Sequence, residues 1–127
     1  HGLTSHGFPN CFFLGFTQTA VTVNVPHALN EQAKHLAYVL SEARTRGTPT
    51  IEASAAAEED YVGVIRQSAN TGARFYRECT PGYYNSEGKT DNTSGFFSDM
   101  FGAGPIKFFR MLDDWRQNSK LEGLDLR

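Results

Sequence analysis

A turn, Gly7-Phe8-Pro9-Asn10, feeds a short apolar run, Cys11-Phe12-Phe13-Leu14, which Gly15 breaks before a long amphipathic helix opens at Pro26. This pattern reads as a buried strand handing over to a helix. Such a strand needs further strands on both flanks, because backbone donors and acceptors do not stay unpaired away from water. Few other segments of the chain offer themselves as those partners. The expectation is therefore the C-terminal end of a larger α/β protein, and a first residue other than Met agrees with it.

With 127 residues the chain has the size of one domain with a modest core. Hydrophobic residues make up 39%, a low share that ten Phe offset in part, since aromatics bury a large area each. The net charge of −2 comes without a basic stripe, which argues against nucleic acid as a main partner. No apolar stretch approaches the roughly 20 residues of a membrane helix, and nothing at the start resembles a signal peptide. Cys11 is expected to be a small buried hydrophobe in the strand. Its spacing from Cys79 leaves a disulfide open, but two thiols in an otherwise ordinary chain suggest a reducing, cytoplasmic setting.

Three helices are legible. The spacing of Leu29, Ala33, Leu36, Val39, Leu40 and Ala43 predicts a helix from Pro26 to about Arg46, with those residues as its apolar face. Pro26 suits a first turn, Gly47 a C-terminal cap, and Pro49 forbids continuation. A second helix follows the N-cap Ser54, turns Tyr61, Val62 and Ile65 inward, and ends near Gly72 or continues to about Arg77. A third starts at Pro105 with Phe108, Phe109, Leu112 and Trp115 on one face and ends near Asn118. The tail LEGLDL has the makings of an edge strand. Residues 79–104 form a long aromatic and glycine-rich stretch, expected to lie across another surface. Val21, Val23 and Val25 alternate as in a strand, but flanks with little room for pairing favour an extended loop.

Chemistry-bearing patterns are sparse. His1, His6, His27 and His35 form no metal-ligand spacing, and His6 reads as a turn residue bonded to the backbone. GAGPIKFF, residues 102–109, lacks the third glycine of a phosphate loop and follows no strand. Glu58, Glu59 and Asp60 read as a solvated helix N-terminus. No catalytic constellation stands out. What remains is the strand-to-helix junction from Gly15 to Pro26. In doubly wound sheets ligands sit beyond the strand ends and against helix N-termini, so this stretch is either a binding loop or a polar connection.

The junction and the segments after it resemble the last part of the FAD-binding domain in class B flavoprotein monooxygenases, especially Baeyer–Villiger monooxygenases. GFPNCFFLG is similar to the family's final strand, G-F-P-N-L-F-F followed by glycine. Gly15 and Gln18 match the G-P-Q turn, with Phe16 in place of its proline. IEASAAAEEDYV resembles I-E-P-T-P-E-A-E-D-A-W-V, with Ser54 at the capping Thr and Tyr61 at the aromatic position. CTPGYYNSEGK resembles a loop carrying N-x-x-G-K, here Asn85, Gly88 and Lys89. Gly104, Pro105, Trp115 and residues 121–124 match the family's ending, so the resemblance covers nearly the whole chain.

The resemblance implies an α/β parent, a flavoprotein with two dinucleotide-binding domains. This segment would be its mostly α-helical end, with one short sheet strand near the N-terminus and the long aromatic loop. Residues 1–47 would be the final strand and helix of the FAD-binding domain, and residues 48–127 a C-terminal helical extension. The parent would use FAD and NADPH to insert one oxygen of O2 beside a ketone carbonyl through a peroxyflavin, or to oxidise a soft heteroatom such as sulfur or nitrogen. Gly15, Gln18, Asn24 and Val25 would lie near the flavin, Asn85 and Lys89 on the nicotinamide side, and Val21 and Thr22 in the substrate pocket. The family's glycine fingerprints and its peroxide-stabilising arginine lie upstream of this segment, so the segment alone would be inactive. Its partners would be the small-molecule substrate, O2 and the missing nucleotide-binding portion. A different class of reading is a free-standing helical interaction module with no catalytic role.

Overall fold

The computed structural model describes residues 1–68, 78, 81–83, 87, 99–118 and 120–127. Among them the order of elements is α1 (Val25–Thr45), β1 (Ile51–Ala53), α2 (Ala55–Ser68), α3 (Pro105–Asn118) and β2 (Leu124–Leu126). All three expected helices are present within a residue or two of their expected starts. No described helix is long and apolar enough to cross a membrane.

The ends of α1 follow from its caps. Asn24 Oδ1 accepts the N–H of His27 at 3.1 Å, and Pro26 sits in the first turn, where a missing N–H costs nothing. At the other end Gly47 takes φ +68, its N–H reaches Arg44 O at 3.0 Å, and Thr48 N–H reaches Ala43 O at 3.0 Å. These two bonds make a Schellman termination, which needs a left-handed residue and therefore favours glycine.

The apolar face of α1 differs from expectation. The buried residues are Ala28, Gln32, His35, Val39 and Ala43, so Val39 and Ala43 are inside as expected. Leu29 is 40% and Leu40 44% exposed, Ala33 is exposed and Leu36 is half-buried. One residue is about 100° of helix rotation, and the helix is turned by roughly that amount. The reason is polar: Gln32 is drawn inward by a backbone partner and His35 by an aromatic one.

The expected tail strand exists as β2, but its partner was not anticipated. β1 and β2 are antiparallel, with Ile51 opposite Leu126, Glu52 opposite Asp125 and Ala53 opposite Leu124. Thr50 and Arg127 extend the ladder, exchanging N–H to carbonyl bonds of 2.7 and 3.0 Å. The strand expected at residues 11–14 is absent. Phe13 N–H bonds Leu3 O and Asn10 N–H bonds Ile51 O, both at 2.8 Å, and no ladder forms. Cys11 is exposed rather than buried, with Phe13 47% and Leu14 50% exposed. The physical cause is the one that made the strand demanding: no neighbouring strand among the described residues runs alongside it.

Among the described residues, two apolar clusters hold the fold. Ala20, Tyr61, Ile65, Phe101, Phe108 and Leu112 join the 15–24 loop to α2 and α3. Val39, Ala43, Ile51 and Leu121 join α1 to β1 and to the turn before β2, with Trp115 and Tyr38 against them. Phe108 and Leu112 are 1% and 2% exposed, so each contributes about 2 kcal/mol by burial alone. Of the aromatic stretch, the described end lies along the junction loop: Gln18 N–H bonds Asp99 O at 2.8 Å and Phe101 N–H bonds Thr19 O at 3.0 Å.

Candidate functional site

The loop from Gly15 to Asn24 is fixed at both ends by α1. Gly15 has φ +148, a backbone state that side chains disfavour, and a Cβ added there would meet nothing within 4 Å. One side of this residue is therefore bare backbone facing open space. Its other side is held. Gln32 Nε2 donates to Gly15 O at 2.8 Å, and Gln32 Oε1 accepts the N–H of Gly15 at 2.8 Å. Thr19 Oγ1 donates to the same carbonyl at 2.7 Å.

Further along, Gln18 adopts φ +56, and its carbonyl accepts the Tyr61 hydroxyl at 2.6 Å. Burial pushes the Tyr61 phenol up, so it stays a donor. Thr22 Oγ1 accepts the Asn24 N–H at 3.2 Å just before the cap. Val21 is 43% exposed and Val23 fully exposed. Residues 21–24 are loop, as favoured from the sequence. The candidates thus divide. Gly15 and Gln18 are pinned into the fold, while Val21, Thr22, Asn24 and Val25 form an outward ledge at the start of α1. Asn85 and Lys89 lie outside the described residues.

The ledge has a definite chemical character. Its valines are apolar, and the first turn of α1 carries no acidic residue. Pro26 has no N–H and Asn24 takes that of His27, which leaves the Val25 N–H as the donor of that turn. A flat ring with an electron-rich edge fits such a surface, apolar side to the valines and edge to the positive end of the helix dipole.

A cavity of about 340 Å3 opens beneath the junction, lined by Gln18, His35, Tyr61, Met111 and Trp115 among others. Among the described residues, Gln18 is the one expected site residue that reaches it. His35 is 3% exposed, its ring centroid lies 5.0 Å from that of Trp115, and its Nδ1 has no hydrogen-bond partner. Burial, reinforced by the positive charge of Arg116, lowers its pKa to about 4 and keeps the imidazole neutral at pH 7. Sequence reading considered His35 only as a metal ligand, because no local pattern shows that it is buried against Trp115.

Elsewhere, Glu58 is not simply solvated. It accepts the Ser5 hydroxyl at 2.8 Å and the His6 N–H at 2.7 Å, and these bonds lower its pKa. His6 lies within bonding distance of Ala53 O, 3.1 Å from Nδ1, as its reading as a backbone-bonded turn residue requires. His6, Glu52 and Asp125 also gather within 4.8 Å. Arg127 already pairs with the buried Glu52 carboxylate at 2.6 Å, so this group ties the N-terminal segment to the sheet.

No family model matches the chain. Neopentalenolactone D synthase of Streptomyces avermitilis is 42% identical to it over 127 residues, 100% of this chain and 21% of that protein. Baeyer–Villiger monooxygenase 4 of Dietzia sp. is 36% identical over 124 residues, 98% of this chain and 20% of that one. Among solved structures, the polycyclic ketone monooxygenase of Thermothelomyces thermophila superimposes with a TM-score of 0.85 at 29% identity, covering 100% of this chain and 20% of the other. Cyclohexanone monooxygenase from Rhodococcus sp. Phi1, bound to NADP+, shares the fold with a TM-score of 0.76 at 19% identity over 99% of this chain and 22% of its own. The chain thus spans about one fifth of the length of the relatives it matches.

Proposed function

The chain belongs with the Baeyer–Villiger monooxygenases, matching one fifth of their length, and from that premise we propose that it is the C-terminal part of an FAD- and NADPH-dependent monooxygenase. The reaction would place one oxygen of O2 next to a ketone carbonyl, in the cytoplasm. The observation that carries this reading is the end-to-end match at 42% identity. The ledge at the start of α1 supports it independently, because its shape and charge suit a flat ring.

In this reading FAD, reduced by NADPH, supplies the redox chemistry with O2 when bound. The chain's own residues bind and orient. Gly15 presents bare backbone to the ring, and Gln18 and Asn24 keep the loop folded through their bonds to Tyr61 and His27. The Val25 N–H and the dipole of α1 favour negative charge at the ring edge. Val21 and Thr22 would meet the ketone, with the valine keeping water from it. Asn85 and Lys89 would approach the nicotinamide. Residues 1–47 would complete the FAD-binding domain, whose further strands would flank the run at 11–14, and residues 48–127 would extend it.

The test is the full-length polypeptide, purified and supplied with NADPH, isotopically labelled O2 and a panel of cyclic ketones and organic sulfides. The expected result is a yellow protein that retains FAD and yields labelled ester or lactone. A colourless protein that takes up no FAD would overturn the proposal. Labelled sulfoxide without any ester would move the substrate class to soft heteroatoms.

A further inference from the structure

We propose that Gln32 is a positioning residue of the oxygenation site, holding both backbone hydrogen bonds of Gly15 so that the loop keeps a fixed spacing from the ledge at Val21–Val25. This rests on the function proposed above and goes beyond it, because Gln32 is not among the residues expected to touch flavin or substrate.

The buried face of α1 is otherwise built from Ala28, His35, Val39 and Ala43. A glutamine 4% exposed on such a face needs a reason, since an amide buried without partners is costly. Both of its polar atoms are used on one residue. Nε2 donates to Gly15 O and Oε1 accepts Gly15 N–H, each at 2.8 Å, which is the paired exchange a neighbouring strand would supply. Only this orientation of the amide satisfies both partners. Gly15 stands where the apolar run ends and no described strand continues, so a side chain from α1 substitutes for the missing ladder.

The consequence is mechanical. Asn24 begins α1 and Gln32 lies eight residues further, about 12 Å along the same helix. The loop between Gly15 and Asn24 is therefore tied at both ends to one rigid rod. Thr19, 3% exposed, adds its bond of 2.7 Å to Gly15 O, and Ala20 is fully buried. The bare side of Gly15 and the valine ledge are thereby held at a set separation. Where ring and ketone must meet in register, a misplacement of about 1 Å costs on the order of 100-fold in rate.

The experiment uses the full-length flavoprotein, with Gln32→Leu and Thr19→Val as near-isosteric variants. Four quantities are read: amide hydrogen exchange at Gly15, the visible circular dichroism of bound FAD, kcat and KM, and the share of NADPH electrons that ends as H2O2. Gln32→Leu is expected to retain FAD, speed exchange at Gly15, change the dichroism, and lower kcat by roughly 10- to 100-fold with KM for NADPH unchanged and H2O2 raised. Thr19→Val moves the same quantities less. Faster exchange at Gly15 with unaltered dichroism, kcat and H2O2 would overturn the inference, leaving Gln32 a structural residue. If Gln32→Leu does not fold, Thr19→Val decides alone: wild-type dichroism and H2O2 would overturn the inference, and the smaller shift would sustain it. Wild-type protein that takes up no FAD overturns the proposed function itself, an outcome seen before any substitution is made.

Discussion

His35 is the residue whose environment makes the sharpest demand on solution behaviour. Folded, its pKa is lowered to about 4 from 6.5 by burial, with Arg116 adding to the effect. A base with a depressed folded pKa contributes stability that is fully present above the unfolded value and is lost as pH falls. Stability should therefore decline from about pH 6.5 down to about pH 4, by at most about 3 kcal/mol. Denaturant unfolding at pH 7 and pH 4.5 measures this, and His35→Leu should flatten that slope. A slope unchanged in the variant would assign it to other groups. Neither His35 nor Gln32 could be placed from the sequence, and for one reason. Their environments come from Trp115, Arg116 and Gly15, which lie 17 to 81 positions away and which no local period encodes. Pro26 and Gly47, by contrast, were legible because a helix start and a helix cap depend on adjacent residues.

Among the elements, the helices were readable and the sheet was only half so. A helix announces itself through caps and a repeated face, and α3 has both in Pro105, Phe108 and Leu112. β1 has three residues, all buried, and so shows no alternation to detect. The rotation of α1 was hidden for a related reason, since leucine spacing alone cannot say which of two neighbouring stripes a polar anchor will turn inward. The turn before β2 carries the element-scale prediction. Gly123 has φ +84, and an added Cβ would lie 2.9 Å from Ala57 Cβ on α2. Its carbonyl also accepts the Ser54 N–H at 3.0 Å, just where α2 begins. Gly123→Ala should cost roughly 2–3 kcal/mol, combining backbone strain with overpacking. Thermal unfolding tests it, and a loss below about 0.5 kcal/mol would mean that the turn yields freely.

For the molecule as a whole, Leu29, Ala33, Leu36 and Leu40 leave an apolar stripe along the outside of α1, with Phe13 and Leu14 also outward. In a polypeptide five times as long, as the relatives are, that stripe has a partner to meet. Leu40→Glu in the full-length protein should then lower stability by roughly 1–2 kcal/mol, seen as a fall in Tm. An unchanged Tm would mark the stripe as open surface. The mostly helical character was legible from the helix pattern, whereas the two-dinucleotide-domain parent came from the resemblance alone, and no pattern within the 127 residues says what covers this stripe.

The pairing of Ile51–Ala53 with Leu124–Leu126 joins positions roughly 70 residues apart. On a ribosome adding about 5–20 residues per second, the first of these strands waits roughly 4–15 s for the second to be made. Throughout that interval Ile51 lacks Leu121 and its strand partner Leu126, and Glu52 lacks Arg127. The nascent chain therefore carries an unpaired strand edge through that interval, which is when association with other chains competes with folding.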